Sequence, residues 1–145
     1  MTHQEIIDKY TKQYLFIEKT TAKLFTEESI DWKKICLTET LSEDFIREYQ
    51  DQVDWRIVSA CQKLSEPFII EFLDQISWRK ISEYQTLSED FIREFQDCVD
   101  WYYISSRQTL SDNFIQEFQD RVDWNGIWLR RNEDSPQSQR TWWDL

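Results

Sequence analysis

The chain has 145 residues and a formal charge of −11, from 28 Asp and Glu against 17 Lys and Arg. It carries eight Trp, nine Phe and six Tyr but one Gly and two Pro, where an average chain of this length has about ten Gly and about seven Pro. So few residues tolerant of φ > 0 exclude turn-rich β architectures and Gly-rich phosphate loops, and the charge disfavours direct binding to nucleic acid or anionic membranes.

From the N-terminus, Thr2-His3-Gln4-Glu5 has the form of a capping box, and Ile6, Ile7, Tyr10 and Tyr14 follow at helical spacing. Residues 1–17 are therefore expected to form a cap helix. The opening MTHQEIIDKYTKQYL mixes charges where a signal peptide has an unbroken apolar stretch. Nor does any apolar run approach the roughly 18 residues of a membrane span. Cys36, Cys61 and Cys98 cannot all pair within one chain, so free thiols and a reducing, cytoplasmic location are expected.

Beyond the cap the chain repeats itself. Trp32, Trp55, Trp78, Trp101 and Trp124 stand 23 residues apart. Three copies read LSEDFIREYQDQVDWRIVSACQK, LSEPFIIEFLDQISWRKISEYQT and LSEDFIREFQDCVDWYYISSRQT. The expected units are a diverged repeat over 18–40, then repeats 41–63, 64–86, 87–109 and 110–130. In the diverged copy only Ile30, Asp31, Trp32 and Ile35 hold to the pattern. Residues 1–130 then make one domain, and 131–145 a polar linker with an aromatic tail.

Each unit reads as two short helices. Ser42 is an N-cap, Leu41 and Ile46 a hydrophobic staple, and Phe45, Ile46, Tyr49 and Val53 one apolar stripe. Asp54 caps the second helix, whose buried side is Trp55 and Val58. The first cap recurs as Ser65, Ser88 and Ser111, the second as Asp31, Ser77, Asp100 and Asp123. Pro67 falls in a first helical turn, where its missing N–H costs nothing. A helix pair of about 20 residues cannot enclose its own stripe, so the expected fold is all-α, a short α-solenoid of stacked two-helix repeats with a terminal capping helix.

The inventory offers little chemistry. The single histidine, His3, reads as an exposed residue in a capping turn, so a Ser–His or Cys–His pair has nowhere else to form. Three scattered Cys lack zinc-ligand spacing, and paired carboxylates recur in every unit rather than standing in two distinct environments. No catalytic residue, cofactor or metal is expected.

Many acids are explained by capping or by a first-turn helix dipole. Two columns are not: Glu48, Glu71, Glu94, Glu117 and Asp51, Asp74, Asp97, Asp120. A helical wheel puts the Glu column at the edge of the apolar stripe and the Asp column opposite it, near the C-terminus of the first helix. At about 10 Å separation, each neighbouring pair in water costs about 0.4 kcal/mol, so such columns are tolerable as a solvated face. Trp142 and Trp143 lie outside the repeat and are candidates either to cover the last repeat or to anchor another protein.

The string LSEDFIREFQD-x-VDW-x-x-IS resembles short helical repeats associated with large DNA viruses and some phages, from Leu41 to about Arg130 and partly over 30–40. The resemblance implies a viral origin and carries no activity with it. The expected role is a non-catalytic protein-interaction module recognising a partner with a basic surface through the two acid columns and Trp142-Trp143. The alternative is an acidic inhibitor that imitates nucleic acid in the cleft of a host or defence enzyme. Exposed end faces are also a route to self-association.

Overall fold

The computed structural model describes residues 2–18 and 30–133. These contain ten helices and no strand: α1 (His3–Glu18), α2 (Trp32–Thr38), α3 (Glu43–Glu48), α4 (Trp55–Cys61), α5 (Glu66–Glu71), α6 (Trp78–Tyr84), α7 (Glu89–Glu94), α8 (Trp101–Arg107), α9 (Asp112–Glu117) and α10 (Trp124–Glu133). The chain divides into two compact units, residues 1–64 and 65–145.

Caps set the helix starts. Ser42, Ser65, Ser88 and Ser111 have extended backbones, and each Oγ accepts the N–H of the Phe three residues on, at 3.1–3.3 Å. Asp31, Asp54 and Asp100 accept from the first turns of α2, α4 and α8. Ser77 occupies the same position before α6 but makes no side-chain cap bond. Its ψ of 102° matches Asp54 and Asp100 rather than the serine caps near 154°. That backbone suits a carboxylate, and a hydroxyl one bond shorter does not reach.

The first helix of each repeat is shorter than its apolar stripe. α3 stops at Glu48, Tyr49 is its C-cap, and Gln52 N–H and Val53 N–H both donate to the Tyr49 carbonyl in a following turn. Val53 enters the core from that turn, 7% exposed. Asp51 and its counterparts therefore lie in turns and not on a helix. The wheel argument does not apply to them, and neither does the conflict with a helix dipole.

In the first unit, α2 and α4 pack as neighbours, and α1 covers them with buried Ile6 and Tyr10. The Tyr14 side chain lies outside the described residues. In the second unit α6, α8 and α10 lie in succession against one another. Each repeat thus leans on the next, as the 23-residue pattern requires. Trp78 sits 5.3 Å from Phe95 and Trp101 5.1 Å from Phe118, ring to ring. Trp32 stands 5.1 Å from Tyr49 in the first unit. Within each first helix the two aromatics are 4.7 Å apart. The Trp rings are half-buried wedges between repeats, because each Nε1–H stays near the surface to donate to a backbone carbonyl, as in Trp55 to Gln50 and Trp101 to Gln96. Trp124 keeps that bond to Gln119 but lacks a following aromatic pair, and is 57% exposed.

Two buried polar columns fasten repeat to repeat. Gln62 Oε1 accepts the Leu41 N–H, while its Nε2 donates to the carbonyls of Cys36 and Glu39, each at 2.8 Å. Gln108 does the same to Leu87, Ser82 and Gln85 at 3.1, 3.3 and 2.7 Å. A primary carboxamide fits because the preceding repeat offers one donor and two acceptors at one spot. Ser82 and Ser105 donate to the carbonyls of Trp78 and Trp101 and accept the N–H of Asp100 and Asp123 in the following repeat. In the diverged repeat Cys36 replaces the serine and Glu39 the glutamine.

Gly126 gives α10 a close approach to α8: a Cβ there would meet Ser106 at 3.3 Å.

Candidate interaction surface

All eight column acids are exposed. Each Glu is the last residue of a first helix, and each Asp lies in the turn that follows. Several are already engaged. Arg93 Nε donates to both Glu117 oxygens, at 2.9 and 3.1 Å, which raises the guanidinium pKa further, and its guanidinium lies over the Phe114 ring. Arg121 pairs with Asp97 at 2.7 Å. Among the described residues Asp51, Asp74, Glu94 and Asp120 have no ion pair. Trp142 and Trp143 lie outside the described residues.

One part of the acid surface is concave. A cavity of about 260 Å³ in the first unit is lined by Glu48 and Asp51 together with Trp32, Tyr49, Ile7 and Ile30. Two carboxylates of the columns thus share a site with two aromatic rings. That combination suits a long cationic side chain, whose stem lies on the rings while its head meets the carboxylates.

His3 is more engaged than the sequence reading expected. Its Nδ1 lies 2.6 Å from Glu48 Oε2, its Nε2 3.1 Å from Ser42 Oγ, and its ring meets Phe45 edge-on. The order Ser–His–Glu is that of an acyl-transfer triad. The other repeats show what it does instead. Ser88 Oγ donates to Glu66 and accepts the Phe91 N–H, and Ser111 Oγ donates to Glu89 and accepts the Phe114 N–H. With Nδ1 protonated toward Glu48, His3 Nε2 accepts from Ser42 as those glutamates accept from Ser88 and Ser111. It completes a cap at the first full repeat.

Glu39 ends the same edge. Its buried carboxylate takes Lys9 Nζ and Tyr10 Oη. The lysine bond, then the tyrosine bond, hold its pKa below the ordinary carboxylate value. Lys9 is correspondingly raised, and burial raises Tyr10.

No family model matches this chain. Neither does any curated protein or solved structure. No helix among the described residues is long and apolar enough to cross a membrane.

The sequence reading singled out the acid columns and passed over Gln62, Gln85, Gln108 and Ser59, Ser82, Ser105. The signal was present: both positions are identical in three successive copies while their neighbours vary. Identity of a polar residue beside a buried stripe marks a hydrogen-bonded core position.

Proposed function

We propose that this chain is a non-catalytic interaction module that binds a basic protein surface through its acid columns. The observation that carries the reading is the cavity where Glu48 and Asp51 meet Trp32 and Tyr49. It offers an arginine or lysine both neutralising charge and apolar walls. The unpaired acids Asp74, Glu94 and Asp120 extend the negative potential along the repeats. Exposed, free Cys61 and Cys98 suit a reducing compartment such as the cytoplasm.

Titration of the full chain with an arginine-rich peptide, followed by Trp fluorescence, tests the proposal. Affinity should fall steeply with salt, and an Asp51→Asn, Asp74→Asn, Asp97→Asn, Asp120→Asn variant should bind about tenfold more weakly with unchanged helicity. Equal binding by that variant sinks the reading. Competition by duplex DNA for the basic partner would reassign the surface to imitation of nucleic acid.

A further inference from the structure

The last repeat contains the docking socket of the earlier ones without its plug. Gln62 and Gln108 each reach back to one N–H and two carbonyls of the preceding repeat. One period further on, the corresponding groups are the Leu110 N–H and the carbonyls of Ser105 and Gln108, and the plug position is Arg131. Its guanidinium turns outward to Asp112. What remains is a cavity of about 230 Å³, lined by Ser105, Gln108, Leu110, Ile115, Ile127 and Arg130. That is room for a side chain rather than a single water of about 30 Å³.

A second observation marks the same place. Arg130 Nη2 donates to Thr109 Oγ1, but Nη1 is buried with no partner among the described residues. A buried donor left unsatisfied is unfavourable. The cavity wall therefore presents two donors, Leu110 N–H and Arg130 Nη1–H, beside two acceptors, the Ser105 and Gln108 carbonyls. A carboxylate satisfies the donors but faces the carbonyls with its own lone pairs. A primary carboxamide matches all four groups: its oxygen accepts two bonds and its NH₂ donates two.

We infer that this cavity is a binding site for a primary carboxamide, the side chain of a glutamine presented by a peptide segment. The site does not depend on the acid columns, so it stands or falls apart from the proposed role of that surface. The glutamine has two sources, a partner in trans or Gln137 and Gln139 of this chain, which lie outside the described residues.

The test is amide NMR of the ¹⁵N-labelled full chain, titrated with N-acetyl-glutamine methylamide and, separately, its glutamate analogue. The Leu110 N–H should shift saturably with a Kd of about 1 mM, as expected of a small, weak ligand. The glutamate analogue should bind at least fivefold more weakly. In Arg131→Gln the introduced amide fills the socket, so the probe should produce no saturable shift. A silent native chain with a responsive Gln137→Ala, Gln139→Ala variant assigns the site to the chain's own segment. Silence in both, less than fivefold preference over the glutamate analogue, or an undiminished response in Arg131→Gln overturns the inference.

Discussion

Replacing Gln108 by leucine tests the inter-repeat fastening most directly. The substitution nearly conserves volume, so the loss is polar rather than steric. It strands three groups of the preceding repeat: the Leu87 N–H and the carbonyls of Ser82 and Gln85. A net hydrogen bond is worth about 1 kcal/mol, and a stranded buried group costs about 1–3 kcal/mol. The Ser82 bond is long at 3.3 Å and counts least, and burial of the leucine offsets part of the loss. The expected destabilisation is about 3–4 kcal/mol, a large share of the roughly 5–15 kcal/mol that holds a domain together. Urea unfolding followed by far-UV circular dichroism and Trp fluorescence measures it, with coincident curves and an unchanged m-value as the condition for converting midpoints to free energies. Gln108→Glu sharpens the test. It keeps an acceptor for Leu87 but sets a carboxylate against two carbonyls, so it should be worse at neutral than at acid pH. A loss below about 1 kcal/mol for Gln108→Leu would refute the claim that this side chain fastens the repeats.

Three further outcomes follow from particular residues. Glu39 has a depressed pKa in the folded chain, chiefly from the Lys9 bond; its contribution is complete above the ordinary carboxylate value of about 4.3 and is lost as pH falls through the depressed value, so Glu39→Gln should flatten that part of the Tm–pH curve, and an identical acid slope would count against the pair. Ser77→Asp places a carboxylate on a backbone already shaped for one and should raise stability by about 0.5–1 kcal/mol in urea, whereas a decrease would contradict the cap geometry. Cys36 is buried and its thiol pKa is raised by desolvation, while Cys61 and Cys98 are exposed. Aromatic disulfide reagent should label two thiols quickly and the third only at the unfolding rate; three equal rates would be incompatible with this packing.

The fold was legible in the sequence because the same solution is written several times. Serine and aspartate at fixed positions announced the helix starts, and the apolar stripe recurring with each Trp announced what must stack. Three features were not legible. Helical spacing from Phe45 to Val53 looks continuous, but the last part of that stripe is a turn, whose i+4 contact mimics the helical period. His3 and Glu48 are distant in sequence, so periodicity gave no hint that they meet. The glutamine column reads as surface when side chains are sorted by polarity alone, since a carboxamide belongs in a core only when backbone groups elsewhere are waiting for it. At the candidate surface, the exposure of the acids was readable, whereas their pairing with Arg93 and Arg121 and the cavity around Asp51 depend on three-dimensional placement.

The fastening bonds are all directed from one unit to the one before it, and every 23-residue stretch brings both its own plug and the socket for its successor. Such a stretch is a self-sufficient cassette. Splicing a duplicate of residues 87–109 behind the original would need no compensating change elsewhere, so family members of different repeat number could arise by simple duplication. Arg131, which ends the series by declining the socket offered by Ser105, Gln108 and Leu110, is then the residue that sets the length of the stack.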